Sequence, residues 1–318
     1  MKFLVTGGAG FIGSHFVRLT LQRHPEDSVV VFDKLTYAGN LNNVSDCQAN
    51  PQFSFIQGDV CDASAIARAA QGCDAVLNFA AETHVDRSIQ EAGEFVRTDV
   101  LGAYQLLEWA RKNDALFLQV STDEVYGSIA EGQFTEQSNF EPNSPYSASK
   151  AGAELIVRSY RVTYGLETLT TRSSNNYGPY QHPEKLIPRF VTNLLRGRRV
   201  PLYGDGLNVR DWLYVVDNCE AIDTVLRKGS AGQAYNIGAD DERTNLELTQ
   251  VLLKLASRGE EFIERVPDRL GHDRRYSINS AKVRALGWKP LVPFEQGIAQ
   301  TVDWYKNNQA WWAPLAEP

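Results

Sequence analysis

The chain has 318 residues, of which 43% are apolar and 22% are charged, and its net charge is −7. This length is sufficient for a full hydrophobic core in one large domain or two coupled domains, and the composition is ordinary for a soluble enzyme. The negative charge argues against a general role on nucleic acid or anionic membranes, and no apolar stretch approaches the roughly 20 residues that a membrane span needs.

The amino terminus and the metal-ligating residue types indicate the cellular setting. Lys2 opens a strand-like run that breaks at Gly7, so we expect no secretory signal peptide. The four cysteines show no paired metal or redox spacing, and His272 has no second histidine at ligand spacing. We therefore expect structural thiols in a reducing, cytoplasmic setting, and no metal ion.

Short β-type runs alternate with helical patterns along the first half of the chain. We predict strands at Lys2–Thr6, Ser28–Asp33, Phe53–Gln57, Ala75–Phe79 and Leu116–Ser121, and helices at Phe11–Arg23, Ala63–Ala70, Gly93–Asn113 and Pro145–Tyr164. Repeated βα units predict an α/β fold in which helices cover both faces of a parallel sheet.

The second half of the chain is richer in loops and is predicted to form a smaller lobe. Loops are expected at Asn175–Pro183, Gly204–Val209 and Pro267–His272, and helices at Asn245–Ala256 and Phe294–Asn307. We predict a first domain at residues 1–175, completed by a segment near residues 212–240, and a smaller lobe over the remainder of residues 176–318.

Three glycines follow the first predicted strand. Gly7, Gly10 and Gly13 have a Gly-x-x-Gly-x-x-Gly spacing where that strand meets a helix. Glycines let the backbone turn tightly and approach a pyrophosphate, whose negative charge the helix N-terminus favours. The pattern predicts a dinucleotide site, although the same spacing alone also fits a simple tight turn.

An acidic residue ends the second predicted strand, twenty residues past Gly13. A carboxylate at Asp33 accepts hydrogen bonds from the adenosine ribose hydroxyls and repels a 2′-phosphate, so NAD is favoured over NADP. Lys34 is the complication, because a neighbouring cation could serve a phosphate. Farther along, Asp59 could bond the adenine.

A tyrosine and a lysine lie one helical turn apart in the second half of the first domain. Ser144-Pro145 is typical of a helix start, which puts Tyr146 and Lys150 on one helix face. An ammonium near a phenol stabilises the phenolate, so we expect the pKa of Tyr146 to fall below its usual value of about 10. Such a pair is common on surface helices, but its combination with the glycine loop and Asp33 favours a base for alcohol oxidation.

Two adjacent carboxylates follow a hydroxyl at the end of the fifth predicted strand. Thr122, Asp123 and Glu124 precede Tyr146 by about two dozen residues. Adjacent side chains on a regular strand point to opposite faces. Both carboxylates can therefore address one substrate only if a turn or short helix begins after Thr122, and we predict that it does.

These features resemble the extended short-chain dehydrogenase/reductase superfamily, and more closely the nucleoside-diphosphate-sugar 4,6-dehydratases. The matching stretches span nearly the whole chain: Gly7–Gly13, Ala80–Ser88, Ser121–Gly127, Ser144–Lys150, Ser174–Gln181, Val209–Trp212 and Gly271–Asp273. The glycine loop and the Tyr–Lys pair mark only the superfamily. The Thr-Asp-Glu triplet is the specific part, because sugar 4-epimerases of similar fold generally lack the acidic pair.

The resemblance implies a Rossmann-type doubly wound parallel sheet, a smaller mixed α/β C-terminal substrate lobe, and redox chemistry coupled to elimination. Oxidising C4 of a hexose acidifies the C5 hydrogen, which Glu124 would remove while Asp123 protonates the departing C6 hydroxyl. The hydride would then return to C6, so NAD should stay bound. Asp123 must be protonated near neutral pH, and burial and the charge of Glu124 could both raise its pKa.

The resemblance also assigns residues to each ligand. The catalytic set is Thr122, Asp123, Glu124, Tyr146 and Lys150. The cofactor set is Gly7, Gly10, Phe11, Ile12, Gly13, Asp33, Lys34, Leu35, Thr36, Asp59, Val60, Phe79, Ala80, Ala81, Thr98, Tyr146, Lys150 and Asn176. The nucleotide-sugar set is Thr83, Thr122, Asn175, Lys185, Leu186, Pro201, Leu202, Tyr203, Arg210, Asn245, Asp268, Arg269 and His272.

Alternatives remain at the substrate end and for the function as a whole. Arg210 could instead form a local ion pair with Asp211, and Lys185 could be a surface charge. dTDP-glucose is the favoured substrate; a dehydratase or epimerase of another nucleotide hexose and a non-catalytic NAD sensor are the other hypotheses. In the resembling family two helices from each subunit form a four-helix interface, so we expect a homodimer; close packing of the Tyr146 helix on the sheet is the alternative.

Overall fold

Seven parallel strands form the central sheet of the protein. The structure is a computed structural model that describes residues 1–316. The strands are β1 Lys2–Thr6, β2 Ser28–Asp33, β3 Phe53–Gln57, β4 Ala75–Asn78, β5 Leu116–Thr122, β6 Thr168–Ser173, β7 Asn175–Tyr177, β8 Val200–Tyr203, β9 Val209–Tyr214, β10 Gln233–Ile237, β11 Glu242–Thr244 and β12 Ile263–Val266. The central sheet has the order β10-β6-β5-β4-β1-β2-β3, with every pair parallel.

Helices connect these strands. The α-helices are α1 Phe11–Arg23, α2 Ala63–Ala69, α3 Val85–Gln90, α4 Ala92–Phe95, α5 Gly102–Asn113, α6 Pro145–Tyr164, α7 Leu186–Leu195, α8 Val215–Lys228, α9 Asn245–Leu255, α10 Ala281–Arg284, α11 Phe294–Asn307 and α12 Gln309–Trp312. Short 3-10 helices occupy Leu41–Cys47, Asp123–Tyr126 and Glu260–Phe262, and a π-helical turn occupies Val96–Leu101. None of the helices within residues 1–316 is long and apolar enough to cross a membrane.

Alternating side chains of the central strands fill two separate cores. Phe3 and Val5 pack with α1 and α8 on one face of the sheet. Leu4 and Phe117 pack with α2, α5 and α6 on the other. Burial on both faces explains why β1, β2 and β4 are nearly continuous apolar runs. The predicted α/β fold is confirmed as a Rossmann-type doubly wound sheet.

The strand order reverses at β1, whose neighbours are β2 and β4. In a doubly wound sheet the carboxyl ends of the strands at such a reversal border a crevice, and ligands bind there. The glycine loop, Asp33 and the Thr122 triplet all lie at the carboxyl ends of their strands. The topology therefore gathers the predicted site residues of the first half at the carboxyl end of the sheet.

The second half of the chain builds two small sheets beside that carboxyl end. β11, β9 and β7 form a mixed sheet, and β12 pairs with β8 in parallel. A third core, which includes Tyr177, Phe190, Trp212 and Phe294, joins β7 and β9 to α7, α9 and α11. The last two residues of the predicted lobe, 317 and 318, lie outside the described residues.

Two expected elements differ from the structure in detail, and non-local contacts accompany both differences. The helix expected over Gly93–Asn113 is present, but its Val96–Leu101 portion is a π-helical turn, in which the Asp99 carboxylate accepts hydrogen bonds from Glu82 N at 3.1 Å and Ser149 Oγ at 2.6 Å. The loop expected over Asn175–Pro183 begins with β7, which pairs with β9 from farther along the chain.

Candidate active site

The glycine turn between β1 and α1 brings the backbone against the segment that follows β4. Gly7 has φ +67°, and a Cβ there would lie 2.6 Å from Ala80 N. A Cβ on Gly13 would lie 2.4 Å from the carbonyl oxygen of Gly7. No side chain caps the N-terminus of α1, so its N–H groups are available to a phosphate. The residues at this turn fit a dinucleotide.

Asp33, at the end of β2, has its carboxylate fixed by the backbone. Its oxygens accept hydrogen bonds from Ala9 N at 3.0 Å and Leu35 N at 2.8 Å. The pKa of Asp33 is raised, because burial outweighs the lowering by the backbone donors of Leu35 and Ala9. Lys34 is ion-paired with Asp59, with Nζ 2.9 Å from Oδ2. A carboxylate therefore already engages the cation that could have served a 2′-phosphate, which favours NAD.

A single cavity of about 430 Å³ runs from the glycine turn to β8. All five predicted catalytic residues line it. So do the predicted cofactor residues except Leu35, and the predicted substrate residues except Asp268. Leu35 instead uses its backbone N–H to hold Asp33. The Asp268 carboxylate instead lies 2.6 Å from Nδ1 of His272.

The acidic pair lies on a 3-10 helix that begins directly after β5. The Thr122 hydroxyl accepts a hydrogen bond from Glu124 N at 3.3 Å and donates one to Asp123 Oδ1, also at 3.3 Å. This cap turns the chain out of the strand, so that both carboxylates border the same cavity. The predicted change from strand to short helix after Thr122 is confirmed.

The two carboxylates differ in their electrostatic surroundings. Burial, the charge of Glu124 and the charge of Asp211 raise the pKa of Asp123 well above its ordinary value. Burial also raises the pKa of Glu124, but Arg269, Arg210 and Lys185 oppose that rise. Environments that separate the pKa values of paired carboxyls are typical of an acid beside a base. Asp123 therefore suits the acid role, and Glu124 the base role.

The Tyr–Lys pair lies on α6, whose start matches the prediction. Ser144 caps the helix and Pro145 occupies its first turn. Nζ of Lys150 donates to the carbonyl oxygen of Val120 at 2.8 Å. Contrary to expectation, the pKa of Tyr146 is well above its ordinary value, because burial and nearby carboxylates, Glu124 first, outweigh the hydrogen bond with Thr122. The expected lowering of the Tyr146 pKa is therefore wrong.

The substrate end of the cavity gathers cations and amides from the second half of the chain. Arg210 donates to the carbonyl oxygens of Val209 at 2.7 Å and Asp273 at 2.9 Å, and Asp211 bonds other backbone groups. The alternative of a local Arg210–Asp211 ion pair is therefore wrong. Nζ of Lys185 donates to Thr83 O at 2.5 Å and borders the cavity, so Lys185 is not a surface charge.

Several cavity residues were missing from the sequence-based set. Tyr276 donates to Asp273 Oδ2 at 2.7 Å and lies 3.5 Å from Glu124 Oε2. Trp212 and Asp86 also line the cavity. Trp212 and Asp86 belong to stretches that matched the resembling family, and Tyr276 lies three residues past one. Membership of those stretches was the available signal for Trp212 and Asp86.

Buried polar atoms without a hydrogen-bond partner concentrate in this cavity. Among the described residues they include Asp123 Oδ2, Asn175 Oδ1, Asn176 Oδ1, Asn245 Oδ1 and Trp212 Nε1, and all five residues line the cavity. An unpartnered buried polar group is costly, and functional sites are where such groups are tolerated. Donors, acceptors and the glycine turn together fit a large polar ligand beside a dinucleotide.

Comparisons with known proteins agree with this geometry. The family model described as GDP-mannose 4,6 dehydratase matches residues 4–301. A dTDP-glucose 4,6-dehydratase of Streptomyces niveus is 50% identical over 324 residues, covering 100% of this chain and 96% of the relative. The crystal structure of DesIV, a dTDP-glucose 4,6-dehydratase from Streptomyces venezuelae with NAD and TYD bound, has a TM-score of 0.97 and 53% identity, covering 99% of this chain and 100% of that one. The corresponding enzyme of Bacillus anthracis in complex with NAD has a TM-score of 0.93 and 49% identity, covering 99% of each chain.

Proposed function

The chain belongs to the GDP-mannose 4,6 dehydratase family, and on that premise we propose that it is a lyase acting on dTDP-glucose. The products are dTDP-4-keto-6-deoxyglucose and water, and NAD is held tightly throughout. Relatives of about 50% identity over the full chain are dTDP-glucose 4,6-dehydratases, and the solved structures of two such enzymes contain NAD. The observation that carries the proposal is the Asp123–Glu124 turn, which borders one cavity with Tyr146 and Lys150.

Each step of the reaction has a residue whose chemistry suits it. Tyr146 takes the proton of the C4 hydroxyl, and must be a phenolate to do so. Because the pKa of Tyr146 is well above its ordinary value, that phenolate forms readily only near a further positive charge. NAD, held by the glycine turn and Asp33, would supply the acceptor for the C4 hydride, the source of the hydride for C6, and a positive charge before the first transfer. Lys150, held by Val120 O, supplies a cation near the phenol and keeps its helix against β5.

Elimination then uses the acidic pair. Glu124 removes the C5 proton, and the electrons of that C–H bond form the C5=C6 double bond as the C6–O bond breaks. Asp123 donates its proton to the departing hydroxyl, which leaves as water. Burial, Glu124 and Asp211 hold the proton on Asp123, while Arg269, Arg210 and Lys185 favour the ionised form of Glu124. Hydride return to C6 and proton return to C5 complete the reaction with no net redox change.

The nucleotide is proposed to lie in the second-half end of the cavity. Arg210, Lys185, Asn175 and Asn245 suit the diphosphate, because they present cationic or amide groups there. Tyr203 offers a ring for the base, and its hydroxyl is 3.4 Å from Asp86 Oδ2. Residues 1–175 with the segment near 212–240 are proposed as the NAD-binding domain, and the remainder of residues 176–318 as the nucleotide-sugar lobe.

We further propose a cytoplasmic homodimer built on α5 and α6. Exposed apolar side chains occur along these helices: Tyr104, Leu155, Val162 and Tyr164. Apolar residues exposed on adjacent helices are typical of a helix-to-helix interface between subunits. The four free cysteines support the cytoplasmic assignment, because thiols stay reduced in that compartment.

A panel of nucleotide hexoses tests the activity and the base preference together. The purified protein is incubated with dTDP-, UDP-, CDP- and GDP-glucose without added NADH, and loss of one water is followed by mass spectrometry. We expect dTDP-glucose to be turned over fastest, and deuterium placed at C4 to appear at C6. Inversion at C4 without water loss would indicate an epimerase, and no turnover of any sugar would indicate a non-catalytic NAD-binding protein.

A conservative substitution tests the assignment of the base. Glu124→Gln keeps the side-chain size but cannot accept the C5 proton, so water loss should fall by about 10²- to 10⁴-fold. Oxidation at C4 should persist, and the absorbance of reduced nicotinamide should accumulate after substrate is added. Glu167→Gln, at an exposed residue, is the matched control and should behave like the unmodified enzyme. Elimination at the normal rate by Glu124→Gln would overturn the base assignment.

A further inference from the structure

A buried ionic cluster lies behind the acidic turn and is not part of the cavity wall. The 3-10 helix that carries Asp123 and Glu124 at its start ends with Tyr126, which is 1% exposed. Nη1 of Arg172 donates to the Tyr126 hydroxyl at 2.5 Å, and that hydroxyl donates to Asn236 Oδ1 at 2.8 Å. The acidic turn is thereby tied at its far end to two strands of the central sheet, β6 and β10.

The same arginine also holds the helix that carries the Tyr–Lys pair. Nε and Nη2 of Arg172 donate to the Glu154 carboxylate at 2.9 and 2.7 Å. Glu154 lies on α6, one turn beyond Lys150 and two turns beyond Tyr146. The guanidinium also lies over the rings of Tyr126, at 5.1 Å, and Phe140, at 4.8 Å. We define the buried arginine cluster as Arg172, Glu154, Tyr126 and Asn236.

A buried ion pair contributes little net stability, because both charges lose their hydration. Its fork geometry instead fixes the direction and separation of the groups that it joins. Here those groups belong to the two elements that carry the proton-transfer residues. Burial lowers the pKa of Lys150, and the charges of Asp99 and then Glu154 oppose that lowering. The cluster is thus suited to setting the geometry of the site from outside it.

We propose that Arg172 and Tyr126 are positioning residues of the elimination step. They hold the Asp123–Glu124 turn at a fixed distance from α6, so that the acid and base reach C6 and C5 of a hexose whose C4 hydroxyl is at Tyr146. This inference rests on the proposed dehydratase function. Tyr146 and Lys150 lie on α6 itself, so C4 oxidation depends on the tie less than elimination does.

The decisive variant is Tyr126→Phe, because it removes the hydroxyl and leaves the Arg172–Glu154 pair intact. We expect kcat for water loss to fall about 10- to 100-fold, the size of effect that a small misplacement of catalytic groups has. KM for dTDP-glucose should stay within about 2-fold, and reduced nicotinamide should accumulate on the enzyme. Arg172→Lys, which keeps the charge but lacks the fork, should give the same split between the two half-reactions.

Tyr235→Phe is the matched control. Tyr235 is a buried tyrosine on β10 whose hydroxyl accepts a hydrogen bond from Ser230 N at 2.8 Å, and it does not line the cavity. The Tyr235→Phe substitution should leave both C4 oxidation and water loss unchanged. If oxidation and elimination fall equally in Tyr126→Phe, or neither changes, the positioning role is overturned. If the unmodified enzyme itself releases no water from dTDP-glucose, the proposed function has failed instead.

Discussion

Asp99 is a buried carboxyl whose replacement is expected to stabilise the protein. It lies in the π-helical turn before α5, 1% exposed, where its carboxylate accepts hydrogen bonds from Ser149 Oγ and Glu82 N. Burial raises its pKa from 3.8 to about 6, against the lowering by Lys150 and the two donors. A rise of about two units, at about 1.4 kcal/mol per unit, means that ionised Asp99 costs the folded state about 3 kcal/mol.

The sign of the pH dependence follows from the direction of that shift. A carboxyl with a higher pKa in the folded protein than in the unfolded chain loses stability as the pH rises between the two values, here from about 4 to about 6. Asp99→Asn keeps the size of the side chain and an acceptor oxygen. It should therefore raise the free energy of unfolding by up to about 3 kcal/mol near pH 7 and by little near pH 4.

Urea unfolding at the two pH values measures this difference at constant protein concentration. Asp303→Asn, at an exposed aspartate on α11, is the control, and should change the free energy of unfolding by less than about 0.5 kcal/mol. The pKa of Glu82, raised to about 6 by burial first and Asp99 second, should fall in the Asp99 variant. A gain of equal size at both pH values, or a loss near neutral pH, would refute the electrostatic reasoning.

Two further substitutions test the cofactor turn and the proposed dimer. Gly7→Ala should weaken NAD binding at least about 10-fold by calorimetry, since its Cβ would lie 2.6 Å from Ala80 N at a positive φ; Gly93→Ala, whose Cβ meets nothing within 4 Å, should bind normally, and equal affinities would contradict the close approach. Leu155→Asp, at a side chain 58% exposed on α6, should give a monomer by light scattering. Leu207→Asp, at an exposed leucine outside α5 and α6, should leave the dimer intact, and a dimer that survives Leu155→Asp would place the interface elsewhere.

The parts of the site that sequence could predict depend on local geometry. Adjacent side chains on a strand must diverge, so a Thr-Asp-Glu triplet with one substrate required a turn after Thr122, and the 3-10 helix is there. Glycine spacing and the strand end at Asp33 likewise follow from a βα unit that a sequence window contains. These inferences needed no knowledge of which distant residues pack together.

The parts that sequence could not predict depend on distant residues. The pKa of Tyr146 is set by burial and by carboxylates from other elements, so its direction could not follow from the spacing to Lys150. The π-helical turn within the expected helix contains Asp99, whose hydrogen-bond donors Glu82 and Ser149 lie 17 and 50 residues away along the chain. Asp268 contacts the cavity residue His272 but does not itself line the cavity. The path of its loop is decided by tertiary contacts.

The position of β10 has a consequence for synthesis on the ribosome. β10 closes the outer edge of β6, yet about 60 residues separate the two strands along the chain. At about 5–20 residues per second, the nascent chain holds β6 as an open edge for several seconds before its partner is made. Open strand edges invite pairing with other chains. Translation speed between β6 and β10 should therefore govern how much of the newly made enzyme escapes aggregation.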